Sequence, residues 1–268
     1  MKILYAAIFL FIFSSCTHQF APLNPQARES LSLEEIDIAG QTLFALQFDA
    51  KEYPLSIVRA QNGRETVESI CQRSKAKACI NGGFFQADGT PAGVLKVNGN
   101  LIAYPAKTRG AFGFNRNGQQ VFFDQLYKQE KNLLGVYLHD WSKVENIIGG
   151  TPLLIRDSKA IFDFSVEQTN ERFLTHRFAR TGICQLKSHK LAFFIISGSS
   201  SLQTAETYKS MGLSIDEFRN VMKNYGCING LNLDGGGSST MVINNEIINP
   251  LPLGQRAVSE ALVIHSRL

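Results

Sequence analysis

Several things are scarce in this 268-residue sequence. It has no block of Lys or Arg; the net charge of +4 is spread thinly, and no RNA- or DNA-binding motif accompanies it. Proteins that hold nucleic acid concentrate positive charge on one face, so nucleic acid is not an expected partner. The apolar run Ile3 to Phe13 is too short to cross a bilayer as a mature helix. There is no C-x2-C pair and the five histidines are scattered, so no zinc or other metal site is expected, and no cofactor is called for. What remains is an ordinary globular balance, 44% hydrophobic and 19% charged. Disorder is therefore not expected outside the termini, and the length suits one large domain or two small ones.

The N-terminus carries an address. Lys2, the apolar run and Ser14-Ser15-Cys16 have the charged start, hydrophobic centre and small residues of a secretory signal. A cysteine directly after the small pair resembles a bacterial lipoprotein signal, with cleavage before Cys16 and lipid on its sulfur; the alternative is an ordinary cleaved signal. Thr17 is not the aspartate that favours inner-membrane retention. The expectation is a lipid-anchored protein of the outer membrane facing the periplasm. Residues 1–15 are then the signal, 16–32 a tether with Pro22 and Pro25, and 33–268 the folded domain. The remaining cysteines, Cys71, Cys79, Cys184 and Cys227, are even in number and suit an oxidising compartment. They allow three pairings. Cys71–Cys79 and Cys184–Cys227 are favoured, because the first closes a short local loop and the second ties residues before the Gly-rich turn to an earlier strand.

Along the chain, alternation predicts strands over Ile36–Phe48, with a turn at Ala39-Gly40-Gln41, and over Leu55–Val58. Glu65–Lys75 has helical spacing and leads into a short buried strand, Ala78-Cys79-Ile80. Asn98-Gly99 and Asn117-Gly118 are two-residue hairpin signals, pairing Val94–Val97 with Leu101–Tyr104 and Gly110–Phe114 with Gln120–Phe123. Leu133–Leu138 reads as another strand and Asp163–Phe173 as a polar loop. Leu191–Ile196 is a buried-type strand. Ser214 and Glu217 form a capping box for a helix that ends at Gly226, and Ala257–His265 alternates as a closing strand. These signals predict an α+β fold, mainly antiparallel hairpins in one or two sheets with a few helices packed on them.

The stretch with most chemistry is Asn232-Leu233-Asp234-Gly235-Gly236-Gly237-Ser238-Ser239-Thr240, a carboxylate followed by flexible backbone and hydroxyls. An isolated triple glycine is more often a turn than a site. Here it follows a capped helix and a short strand. It is accompanied by Asn81-Gly82-Gly83-Phe84-Phe85 with Pro91 and Gly93, Gly150 with Pro152-Leu153, Arg180-Thr181, Gly212-Leu213-Ser214, Glu217-Phe218, Gly226-Cys227 and Arg256-Ala257-Val258. Each piece is common, but the ordered set resembles the phosphodiester glycosidase family over roughly residues 75 to 265. The chain departs from that pattern at Ala179, in place of proline, and at Gly182-Ile183-Cys184, in place of Ala-Ile-Gly.

The resemblance implies a hydrolase that releases a sugar from a sugar-1-phosphodiester or an envelope glycan. Asp234, Asn81 and Arg180 are the candidate catalytic residues. Gly82, Gly83, Thr181, His176, Gly235, Gly236, Gly237, Ser238 and Arg256 are candidates for holding substrate. Asp234 could stabilise an oxocarbenium ion, attack the anomeric carbon or activate water. Arg180, with Arg177, could hold the phosphate. Asn81 and the neighbouring N–H groups could bind sugar hydroxyls. His176 is a candidate acid or phosphate ligand. A glycosidase ordinarily needs a second carboxylate, for which Asp88, Glu206 and Glu260 are equal candidates. The competing reading is a lipoprotein that binds carbohydrate without cleaving it; a purely structural envelope role would leave no pocket where the motifs converge.

Overall fold

The computed structural model describes residues 31–105, 107–126, 141–197, 211–251 and 253–267. Among these, seventeen strands form three antiparallel sheets, with three α-helices packed on them. The strands are β1 (Leu31–Ile38), β2 (Gln41–Phe48), β3 (Leu55–Arg59), β4 (Ala78–Asn81), β5 (Leu95–Val97), β6 (Asn100–Ala103), β7 (Arg109–Asn115), β8 (Gln120–Leu126) and β9 (Asn146–Gly150). They continue as β10 (Leu153–Arg156), β11 (Lys159–Ala160), β12 (Arg180–Leu186), β13 (Leu191–Ser197), β14 (Cys227–Asn232), β15 (Met241–Ile243), β16 (Glu246–Ile247) and β17 (Glu260–Ile264). The helices are α1 (Val67–Arg73), α2 (Glu171–Thr175) and α3 (Ile215–Tyr225).

The largest sheet has the order β1-β2-β13-β12-β14-β10-β11, and the other two run β16-β15-β4-β17-β3 and β6-β5-β9-β7-β8. Both hairpins expected at Asn-Gly signals are present as β5–β6 and β7–β8. Three sheets form where one or two were expected, because strands distant in sequence recruit the hairpins: β9 joins β5 to β7, and β17 joins β3 to β4.

Side-chain alternation explains how the sheets share a core. Phe44, Leu46 and Phe48 of β2, with Leu191, Phe193 and Ile195 of β13, point inward against Ile80, Phe112, Phe114 and Leu231 from all three sheets. The intervening Leu43, Ala45, Ala192, Phe194 and Ile196 point outward and meet Ile215, Phe218 and Met222 of α3. That double burial is why β13 reads as an unbroken apolar run. Helix α3 begins at Ser214, whose hydroxyl accepts from the Glu217 N–H while the Glu217 carboxylate accepts from the Ser214 N–H. It ends at Gly226, φ +103°. Helix α1, capped by Thr66, places Val67, Ile70 and Cys71 against the back of the β4–β17 pair.

Both favoured disulfides are present, Cys71–Cys79 joining α1 to β4 and Cys184–Cys227 joining β12 to β14. The segment read as a polar loop, Asp163–Phe173, contains a single 3-10 turn at Ser165–Glu167 and the start of α2. Glu167 within it is fully buried. Cys16, Leu133–Leu138 and Glu206 lie outside the described residues. No helix among the described residues is long and apolar enough to cross a membrane.

Candidate active site

The three sheets bring one strand end each to a common point: β4 ends at Asn81, β14 at Asn232 and β9 at Gly150. Backbone hydrogen bonds tie the ends together. Thr151 N–H donates to the Asn232 carbonyl at 2.9 Å, Leu233 N–H to Thr181 at 2.8 Å, and Asp234 N–H to Gly82 at 3.2 Å. The Asn232 side chain adds donations to the Thr151 and Leu233 carbonyls at 2.7 and 2.8 Å.

Asn81 sits at the centre, fully buried. Its amide nitrogen donates to the Asp234 carbonyl at 2.7 Å and to the Gly82 carbonyl at 3.3 Å. Its amide oxygen accepts from the Thr181 hydroxyl at 2.9 Å and the Thr240 N–H at 3.2 Å. Both donor hydrogens and both acceptor positions are therefore engaged by protein. This side chain fixes the Asp234 backbone, and Thr181 in turn orients Asn81.

Glu260, the first residue of β17, is packed against Gly82-Gly83. Its carbonyl accepts from Gly82 N–H and its carboxylate from Gly83 N–H, both at 2.9 Å, and its other carboxylate oxygen faces the Ser259 hydroxyl. A Cβ at Gly82 would fall 2.7 Å from the Glu260 side chain, and one at Gly83 would collide with the Gly149 carbonyl. The glycine pair is thus required by close approach, and its N–H groups serve Glu260. Of the two candidate second carboxylates among the described residues, Glu260 lies where the Asp234 charge reaches it, whereas Asp88 is exposed and accepts from Thr90 N–H.

Both acids are electrostatically unusual. Burial pushes the Asp234 carboxyl up to about 6, against the opposing pull of the Ser238 hydroxyl, Arg256 and the Gly235 N–H. Burial pushes Glu260 further, to about 7, with the Asp234 charge adding to it and the Ser259 hydroxyl, Gly83 N–H and Arg59 opposing. Burial thus holds the protons of both carboxyls well above the usual carboxylate range, which suits groups that exchange protons near neutral pH.

Gly83 lies between Glu260 and Gly149, and Gly149 belongs to the wall of a cavity of about 150 Å³ lined also by Phe84, Ala92, Gly93, Arg109, Gly150 and Thr151. A cavity of that size admits one six-membered ring. Arg109 donates to the Glu167 carbonyl, while the Glu167 carboxylate accepts from the Thr151 hydroxyl and Leu153 N–H at 2.8 and 2.9 Å. Neither Arg109 nor Glu167 gave a signal in sequence, because each belongs to a segment without a distinctive motif.

Arg180 lies close by but is turned into the protein. Its Nε donates to the Leu213 carbonyl at 2.8 Å, and Nη2 to the Phe173 and His176 carbonyls at 2.9 and 3.0 Å. The guanidinium lies over the Phe173 and Phe178 rings, and burial lowers it to about 10, so it remains charged at neutral pH. Phe173 meets Phe84 edge to face at 5.7 Å, so Arg180 braces the loop behind the cavity wall. Arg177 pairs with Glu217, and His176 is exposed with its ring stacked on Phe178. Gly235, Gly236 and Gly237 form the partly exposed turn after Asp234, and Gly237 borders Arg256.

Two buried carboxylates at a convergence of three antiparallel sheets, next to a ring-sized cavity, define an α+β protein with a paired-carboxylate site. The phosphodiester glycosidase family profile matches residues 74–265, and the chain belongs to that family. It is 26% identical over 192 residues to the mouse N-acetylglucosamine-1-phosphodiester alpha-N-acetylglucosaminidase, covering 70% of this chain and 36% of that protein. It is 26% identical over 229 residues to the uncharacterized SPbeta prophage-derived protein YomE of Bacillus subtilis, covering 84% of this chain and 33% of that one. The chain thus spans about a third of the length of these curated relatives. Among solved structures, the zebrafish N-acetylglucosamine-1-phosphodiester alpha-N-acetylglucosaminidase catalytic domain, auto-inhibited by its pro-peptide, shares the fold. Its TM-score is 0.67 at 21% identity, covering 93% of this chain and 86% of that one. A hypothetical protein from Synechocystis has a TM-score of 0.72 at 16% identity, covering 87% and 61%.

Proposed function

We propose that this protein is a glycoside hydrolase that releases a sugar, with alpha-N-acetylglucosamine the first candidate, from a sugar-1-phosphodiester or a related envelope glycan. The observation that carries the reading is that two buried acids, Asp234 and Glu260, are held by hydrogen bonds to the same Gly82-Gly83 segment, Asp234 through its backbone N–H and Glu260 through its carbonyl and carboxylate. In this reading the sugar ring enters the cavity beside Phe84 and Gly149-Gly150. The ionised Asp234 faces the anomeric carbon and stabilises positive charge as the C–O bond breaks. The bridging oxygen leaves with the phosphate, taking the electron pair of the broken C–O bond, and water adds to the anomeric carbon and gives up its proton to the Asp234 carboxylate.

A phosphate monoester has its second pKa near about 6, so it leaves at neutral pH without strong acid assistance. The proton held by Glu260 matters more for a leaving alcohol. Asn81 and Arg180 are positioning residues here, the first fixing the Asp234 backbone and the second the loop behind the cavity. The resemblance of residues 1–16 to a bacterial lipoprotein signal supports an envelope location, with the domain facing the periplasm.

Purified protein incubated with an alpha-GlcNAc-1-phosphodiester and a panel of aryl glycosides tests the reading. Turnover that falls by about 10²-fold or more in Asp234→Asn is expected. A protein that binds these sugars tightly, with no product after long incubation and no change on Asp234→Asn, is instead a carbohydrate-binding lipoprotein. That second reading draws on the Asn81 amide and the Arg180 guanidinium both facing protein.

A further inference from the structure

The phosphate of the proposed substrate needs a cation, and most arginines near the site are already committed. Arg180 is fully buried, with Nε and Nη2 holding three carbonyls and Nη1 enclosed without a hydrogen-bond partner. Arg177 donates to the Gly212 carbonyl and pairs with Glu217, and Arg109 donates to the Glu167 carbonyl. Arg256 differs. It is exposed, and among the described residues its guanidinium has neither a hydrogen-bond nor an ion-pair partner. Its guanidinium carbon lies over the Phe85 ring, 5.2 Å from the centroid, a contact that leaves its N–H donors available. Phe85 follows directly on Gly82-Gly83-Phe84, in which Gly83 N–H donates to the Glu260 carboxylate and Phe84 lines the cavity. On its other side, the Arg256 Cδ lies 3.7 Å from where a Gly237 Cβ would be, so the side chain crosses the turn that follows Asp234.

We infer that Arg256, lying over Phe85 and against the turn that follows Asp234, is the phosphate-recognising and specificity-determining residue of this site. The inference rests on the proposed glycosidase reading and assigns to Arg256 the role that the sequence pattern suggested for Arg180. A guanidinium with its N–H donors available suits two phosphate oxygens at once. Its charge already reaches Asp234, whose ionised form it favours. An anionic leaving group there is held next to the carboxylate that must meet the anomeric carbon, and the cation offsets the repulsion between the two.

The test compares Arg256→Gln with wild type on two substrates of the same sugar, a sugar-1-phosphodiester and an uncharged aryl glycoside. Loss of a charge-assisted hydrogen bond is expected to lower kcat/KM on the phosphodiester by about 10- to 100-fold. The aryl glycoside is expected to change by about threefold or less, with Arg256→Lys restoring part of the phosphodiester rate because it keeps the charge without the fork. Equal losses on both substrates, or no loss on either, overturn the inference while leaving the glycosidase reading intact. Inorganic phosphate binding, measured by titration calorimetry on wild type and Arg256→Gln, supplies a readout independent of turnover. Phosphate bound by wild type and lost in the variant supports the assignment even if neither substrate is cleaved, an outcome that would sink the glycosidase reading alone. Phosphate binding absent from wild type, or unchanged in Arg256→Gln, overturns the assignment.

Discussion

Replacing Asn81 by aspartate changes one amide nitrogen to oxygen and distinguishes a scaffold role from a sugar-binding one. In the native protein that nitrogen donates to the Asp234 and Gly82 carbonyls. An ionised aspartate would place a charge against two carbonyl oxygens in a site with no exposure, so the new acid stays protonated and can donate only once. One carbonyl then loses its partner, at a cost of about 1–3 kcal/mol. Holding the proton above an ordinary aspartate pKa of ~3.9 costs about 1.4 kcal/mol per pH unit, roughly 1.5 at pH 5 and 4 at pH 7. The expected destabilisation is therefore about 3 kcal/mol at pH 5 and about 6 at pH 7, growing with pH. At ~2–4 °C per kcal/mol for a chain of this size, the melting temperature drops by about 6–12 °C at pH 5 and by more at pH 7. Thermal unfolding of both proteins across pH 5 to 7.5 measures it. A variant that melts within a degree or two of wild type at every pH, with only KM raised, would refute the reasoning and return Asn81 to the substrate.

Glu260 gives a pH signature of opposite sense. Its folded pKa of about 7 lies above its ordinary 4.5, so the stability it contributes is complete below about 4.5 and is lost as pH rises through 7. The loss is about 3 kcal/mol, and Glu260→Gln, which keeps the acceptor for Gly83 N–H, should melt about 6–12 °C higher than wild type at pH 8 but not at pH 4.5. An unchanged difference between the two pH values would show that Glu260 is ionised in the folded protein. Removing the Cys184–Cys227 disulfide opens a loop with a sequence separation of 43, against 8 for Cys71–Cys79. By chain entropy the first should cost about 4 kcal/mol and the second about 2.5, read as the difference between the two serine double variants in urea unfolding. Arg180→Lys should lose about 2–4 kcal/mol, because an ammonium cannot reach all three carbonyls that Arg180 holds. Its kcat/KM should fall equally on charged and uncharged substrates; a loss confined to phosphodiesters would identify Arg180 as a phosphate ligand.

The local signals in the sequence translated directly into structure where one short segment decided the outcome. Asn98-Gly99 and Asn117-Gly118 turn their hairpins, Ser214 and Glu217 cap α3, and the spacing of four cysteines anticipates two disulfides. The third sheet was not legible, because β9 and β17 join strands far away in the chain and nothing local announces a partner. The same limit applies to the site. Asp234 stands out beside its glycines, whereas Glu260 looks like one acid among several until β17 pairs with β4 and sets it against Gly82-Gly83. Arg180 shows the converse. A motif arginine suggests an anion site, but a guanidinium can equally well satisfy backbone carbonyls, and only coordinates distinguish the two.

A crystal of the wild-type protein soaked with the released sugar tests the central claim most directly. The account predicts the ring in the cavity beside Phe84 and Gly149-Gly150, its anomeric carbon facing Asp234, with Glu260 on the side of the departing oxygen. A sugar bound elsewhere, or one seated there with its anomeric carbon turned away from both carboxylates, would contradict it.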